Sequence, residues 1–294
     1  MQELKRFDFT PILGWSVSRY DLFLTCKRKY YYNYYAKHDS SIPRQKIDQL
    51  KSMTSIPLEV GNVVHDVNKV LLERLKKTEK EIDQPRFFDY AKRKTEEYCN
   101  SKQFSEAYYG EISGINLSDI IDKVQACLGN FLNSDRFDWL FKVALKTKGT
   151  WIIEPPGFGE TRIDGMKAYC KVDFLFPVED ALYIIDWKTG KADSKKHRKQ
   201  LIGYSTWTAF QFAKNPEKIV PIVAYLFPDY NELQVDVNEF DIQEFSDRVR
   251  TETDEMYKFC SVVEENIPVD KEKFAKTPNT KLCNWCNFRE LCFN

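Results

Sequence analysis

Apolar residues follow two different periods along this chain, and the change of period divides it. Val60, Val64, Val67, Leu71, Leu72 and Leu75 recur at helical spacing, predicting a helix over 56–77 with Pro57 in its first turn. An earlier helix is predicted over 19–35, capped by Ser16 or Ser18. Two more are expected near 86–102 and 117–133, and the polar stretch 39–55 reads as a mobile loop. Beyond about residue 148 the pattern shortens to strands at roughly 150–154, 166–176, 182–187 and 219–227, with a short one at 233–237. A helix over 195–213 joins the third and fourth of these, and a long one over 242–265 follows. A meander leading into a strand–helix–strand unit predicts an α/β fold with a mixed central sheet flanked by helices. Residues 78–148 then form a helical insertion, within a single domain spanning 1–294.

Two predicted strands carry a carboxylate inside an apolar run: Asp173 in Lys171-Val172-Asp173-Phe174-Leu175-Phe176, and Asp186 in Leu182-Tyr183-Ile184-Ile185-Asp186-Trp187-Lys188. A buried Asp is costly unless it is paired or holds a metal. Lys188 has the parity of Asp186, so both point to one face of the sheet. Two carboxylates around a divalent cation, with an ammonium beside them, suit phosphodiester hydrolysis. The alternative is two strand-end aspartates and a solvated lysine. His65 lies on or near the apolar face of its helix, as a core histidine or as a third ligand that shifts preference toward manganese. Gln200 and Tyr204 share a helix face and can donate to a phosphate or position the lysine; otherwise they are ordinary amphipathic positions.

Charge narrows the picture little, because 44 basic residues balance 44 acidic ones. Any polyanion surface must be local. The run 188–199, with six basic residues against Asp193 alone, is one candidate, and its plain reading is a solvated loop and helix start. Tyr30, Tyr31, Tyr32, Tyr34 and Tyr35 beside Lys27, Arg28 and Lys29 could grip single strands or pack into the core. No apolar run reaches membrane-spanning length and the first six residues lack a signal-peptide core, so a soluble cytoplasmic protein without a membrane partner is expected. Three of eight cysteines, Cys283, Cys286 and Cys292, crowd the C-terminus. With Cys26 as the natural fourth donor, their unequal spacing fits a four-iron cluster better than zinc, which stays open. In either case the metal would be structural, clamping the two ends of the chain.

These motifs, in this order, resemble the RecB-like branch of the PD-(D/E)xK nuclease superfamily: Ser16-x-Ser18, Cys26 and Tyr30, Gly61…His65, Asp173, Asp186-x-Lys188-Thr189-Gly190, Gln200-x3-Tyr204 and Cys283-x2-Cys286-x5-Cys292. They are most similar to its iron–sulfur members, the CRISPR-associated adaptation nuclease, exonuclease V and the AddB nuclease domain. The resemblance runs from Ser16 to Cys292 apart from the insertion. It implies a restriction-endonuclease-like fold with an iron–sulfur staple between about 16–36 and 268–294. It implies Mg²⁺ or Mn²⁺ on His65, Asp173, Asp186 and the Trp187 carbonyl, with Lys188 orienting or activating the attacking water and Gln200 and Tyr204 supporting the site. Cys26, Cys283, Cys286 and Cys292 would hold a [4Fe-4S] cluster. Lys27 stands where the family usually has proline, and Asp186 where many relatives have Glu. The acidic residue that often precedes the first metal aspartate is Glu154 or Glu160, with Glu154 preferred. An exonuclease acting on single-stranded or frayed DNA ends, alongside a helicase, integrase or recombination partner, is the expected function. The competing expectation is a non-catalytic DNA-binding or assembly subunit.

Overall fold

The computed structural model describes residues 4–5, 7–154 and 161–293. In chain order the helices are α1 (Val17–Thr25), α2 (Lys27–Tyr34), α3 (Arg44–Ser52), α4 (Ile56–Lys77), α5 (Gln84–Asn100), α6 (Ser105–Tyr108), α7 (Leu117–Leu132), α8 (Asp135–Lys142), α9 (Ser194–Phe212), α10 (Glu239–Tyr257) and α11 (Glu290–Phe293). The strands are β1 (Ile152–Ile153), β2 (Thr161–Ile163), β3 (Met166–Ala168), β4 (Phe174–Val178), β5 (Ala181–Lys188), β6 (Ile219–Tyr225), β7 (Asn231–Gln234), β8 (Cys260–Val262) and β9 (Ile267–Pro268). The described residues form two compact units. One is drawn from residues 4–5, 54–154 and 170–243, the other from 7–53, 161–169 and 244–293.

The first unit holds the sheet, in the order β1-β4-β5-β6-β7. Only β5 and β6 pair in parallel, because α9 carries the chain back between them; the other neighbours are antiparallel. This is the expected mixed sheet flanked by helices. Alternation along β5 sends Ile185 and Trp187 into a core shared with Val60, Val64, Val67 and Leu71 of α4, and leaves Asp186 on the other face. The segment 78–148 is part of that core, since Ala91, Val124, Phe131 and Leu140 pack into it, with the Phe131 ring 4.6 Å from Trp187. Each large apolar side chain buried in this way contributes roughly 1.5–3 kcal/mol.

The second unit departs from expectation in instructive ways. The predicted helix over 19–35 is two helices, because Cys26 is extended (φ −161°, ψ 105°) and its Sγ accepts the Lys29 N–H at 3.4 Å, capping α2. Ser16, rather than Ser18, caps α1 through the Arg19 N–H. The expected loop over 39–55 contains α3, anchored by buried Ile47 and Leu50. The strand predicted over 166–176 is two strands in different units. β2 and β3 close a hairpin through Asp164 and Gly165, both at positive φ (45° and 75°), as a two-residue Asp-Gly turn requires. Asp173 therefore lies at the bend immediately before β4, not inside a strand. The long C-terminal helix stops at Tyr257 and gives way to the β8–β9 hairpin.

The tyrosine-rich segment is core rather than strand-gripping surface. Tyr30, Tyr31, Tyr32 and Tyr35 are buried, and they meet Phe23, Phe274 and Phe288 ring against ring. Only Tyr34 is half-buried, with the Arg19 guanidinium 4.2 Å from its ring centroid. No helix among the described residues is long and apolar enough to cross a membrane.

Candidate active site

Within the first unit, β4, β5, α4 and α9 bring the sequence-selected polar residues together. The antiparallel register Phe174↔Ile185 sets Asp173 across from Asp186. The Trp187 N–H donates to Asp173 Oδ2 at 3.0 Å, and the Trp187 carbonyl lies 3.0 Å from His65 Nε2. His65 Nδ1 faces Asp173 Oδ1 at 3.3 Å and Glu154 Oε1 at 3.7 Å. His65, Glu154 and Asp173 each offer a ligand atom within 4.8 Å of the others. Asp186 stands beside this set rather than within it. Its Oδ1 accepts from Tyr204 OH at 2.9 Å and Gln200 Nε2 at 3.3 Å, and Gln200 also donates to Tyr204 OH at 2.6 Å. Asp186 Oδ2 is buried and faces the Lys188 ammonium, whose Nζ lies 2.5 Å away.

Glu154 completes the compact set, as the preferred of the two acidic positions; Glu160 lies outside the described residues. Glu154 has φ 30°, a left-handed conformation that non-glycine residues rarely adopt, and its N–H donates to the Asp173 carbonyl at 3.0 Å. Lys171 Nζ holds its other oxygen at 3.0 Å. Nothing in sequence spacing gives this backbone conformation, because it depends on the β1–β4 pairing.

The electrostatics follow from crowding three carboxylates around one imidazole. Burial works to lower the His65 pKa, but Asp173, Glu154 and Asp186 outweigh it and raise it to about 10. The nearby His65 ring does most to depress Glu154, to about 2, against burial and with help from the Lys171 ammonium. Burial, then the charge of Asp173, raises Asp186 to about 6, against the pull of Lys188 and His65. The Tyr204 hydroxyl is pushed far up by burial and by these acids, so it stays a donor. The imidazole of His65 and the carboxylates of Glu154 and Asp173, with ligand atoms within 4.8 Å of one another, have the donor chemistry for a divalent cation of the magnesium or manganese type.

The basic run begins at this site and continues into α9, where Asp193 caps the helix by accepting the Lys196 N–H. Lys191, Lys195, Lys196 and Arg198 are exposed, whereas His197 is buried with its Nδ1 2.8 Å from Tyr225 OH. In the second unit Cys26, Cys283, Cys286 and Cys292 all border one cavity of about 90 Å³, with Lys29, Lys276 and Phe288. Burial raises the thiol pKa of Cys286 and of Cys292. Among the described residues no three cysteine sulfurs lie within 4.8 Å of one another.

A family model described as the PD-(D/E)XK nuclease superfamily matches residues 14–293, and the chain belongs to that superfamily. No curated protein matches the chain. One solved chain, described as the crystal structure of SSO0001, is 16% identical over 64% of this chain and 78% of its own, with a TM-score of 0.29, a likeness too slight to carry any argument.

Proposed function

We propose that this chain is a metal-dependent deoxyribonuclease of the RecB-like branch, acting as an exonuclease on single-stranded or frayed DNA ends. The observation that carries this reading is the convergence of His65, Glu154, Asp173, Asp186 and Lys188 at one end of β5. His65, Asp173, Asp186 and the Trp187 carbonyl would hold Mg²⁺ or Mn²⁺, with Glu154 added to the set. When bound, the ion supplies Lewis-acid polarisation of the scissile phosphate and a water of lowered pKa. Lys188 offsets negative charge that develops on the phosphate. Tyr204 and Gln200 fix Asp186 by its Oδ1, which leaves Oδ2 toward Lys188. The exposed lysines and arginine at the start of α9 attract the strand backbone. The test is incubation of end-labelled single- and double-stranded DNA with Mg²⁺ or Mn²⁺. Lys188→Ala is expected to slow hydrolysis by about 10²–10³-fold. A parent protein that hydrolyses neither substrate would instead favour a scaffold that assembles with a helicase, integrase or recombination protein.

The raised His65 pKa gives a second expectation. Between pH 7 and 9 the metal-free imidazole is protonated, yet only the neutral ring can ligate. Manganese binding at pH 8 should therefore release about one proton per ion, and affinity should rise with pH. Calorimetry in buffers of different ionisation enthalpy reads this directly. Uptake or release indistinguishable from zero would remove His65 from the ligand set.

We further propose that the four cysteines hold a [4Fe-4S] cluster with a structural role. What supports this reading is that the four thiols, drawn from both ends of the second unit, border one cavity, together with the unequal spacing of the three C-terminal cysteines.

A further inference from the structure

A second cavity, of about 480 Å³, opens in the first unit between α4 and α5. Its volume is that of a small-ligand pocket, and nothing in the nuclease chemistry uses it. Arg74, Arg86 and Arg93 border it, together with Phe87, Tyr90 and Ile82. Among the described residues none of the three arginines has a carboxylate within ion-pair distance, in a chain where acidic and basic residues are equal in number. The one acid on the wall, Asp83, is engaged in capping α5 by accepting the Arg86 N–H at 3.1 Å. Arg74 is held at the wall by Nη2, which donates to the Lys80 and Glu81 carbonyls at 3.1 and 3.0 Å. Its Nη1 is buried and has no acceptor. Three like charges around one concavity repel each other, and an anion relieves that repulsion.

The chemistry of the lining narrows the anion. Guanidinium groups present forked donors that match phosphate oxygens in pairs, which ammonium groups do not. Phe87 and Tyr90 offer ring surface to a flat heteroaromatic group, and Ile82 adds apolar wall. Arg74 lies nine residues beyond His65 on α4, about two and a half turns, so it faces away from the candidate active site. We infer that this cavity is a nucleotide-binding site separate from the active site, with phosphate held by Arg86, Arg93 and Arg74 and the base packed against Phe87 and Tyr90. The nucleotide is either free or one unit of a DNA strand. The inference goes beyond the nuclease reading and does not depend on it.

The experiment uses the full chain in chelator, so that no hydrolysis intervenes. Binding of dAMP, deoxyadenosine and a fluorescent single-stranded oligonucleotide is measured for the parent, for Arg86→Ala/Arg93→Ala and for Lys92→Ala, an exposed residue of α5 that does not border the cavity. Both arginines are exposed, so equal melting temperatures are expected and checked first. The parent should bind dAMP at least about tenfold more tightly than deoxyadenosine, and the double variant should lose about tenfold or more. Lys92→Ala should change affinity little. If dAMP fails to bind but the oligonucleotide weakens selectively in the double variant, the bound nucleotide belongs to a strand. Affinities for both probes that ignore the double substitution, or that fall equally in Lys92→Ala, overturn the site. Hydrolysis assayed in parallel separates the two readings: a parent that binds dAMP through these arginines yet never cleaves DNA defeats only the nuclease proposal.

Discussion

Asp186→Asn is expected to cut DNA hydrolysis by at least about 10³-fold while stabilising the metal-free protein at alkaline pH. Both effects come from one cause. Burial and the nearby Asp173 charge raise the Asp186 pKa to about 6, and Lys188 and His65 only partly offset them. Because the folded-state pKa exceeds the unfolded one, the contribution of this group to stability is fully present below the unfolded value. It is lost as pH rises through about 6. A shift of that size corresponds to roughly 3 kcal/mol. Asn cannot ionise and keeps the acceptor that Tyr204 and Gln200 use, so the variant avoids the cost of a buried charge. Lys188, about a quarter exposed, stays hydrated when its partner is neutralised. Thermal melts in chelator should show the variant higher by about 5 °C at pH 8 and equal to the parent near pH 4. A variant that melts below the parent at pH 8 would mean that the Lys188 contact outweighs burial. One that cleaves within tenfold of the parent would take Asp186 out of the chemistry.

Cys286→Ser should have the second-largest effect, on the other unit. The parent is expected to purify brown, with iron and sulfide in equal amounts. The variant should be pale and melt lower by about 10 °C or more, since coordination by a structural metal centre contributes folding free energy directly. The geometry explains why loss of a single ligand matters. Cys26 caps α2, while Cys283, Cys286 and Cys292 lie in the last turns of the chain, so a group bound in the cavity would add to the direct ties between these segments, the Tyr32–Phe288 ring contact and the Tyr32 hydroxyl on the Leu291 carbonyl. Limited proteolysis should then cut between about 276 and 293 in the variant and spare the parent. Stoichiometric zinc in a colourless parent would replace the cluster with zinc, and an unaltered melting temperature would leave the thiols without a structural metal.

How much of this was legible in the sequence depended on how local the cause was. The helix over 56–77 could be read from helical periodicity, because it lays one apolar face on a core, whereas the crossover helix before β6 is buried at every position from 203 to 208 and carries little such period. Gln200 and Tyr204 at i and i+4 were bound to share a helix face, and both reach Asp186. The β2–β3 hairpin was missed even though Asp164-Gly165 is a strong turn signal, because the apolar run that follows looked like one long strand. The break at Cys26 was also missed, since each side of it is helical and only the cap geometry separates them.

What the sequence by itself determined was chemical inventory and local periodicity: which carboxylates, imidazole, ammonium and thiols exist, and which of them share a helix or strand face. Such properties are set by nearest neighbours along the backbone. Only the tertiary structure decided that Glu154 joins His65 and Asp173, that four of the five tyrosines are core, and that three arginines from α4 and α5 share one cavity. Those outcomes depend on strand pairing and helix packing between distant segments, where burial and charge sum over groups that the linear order keeps apart.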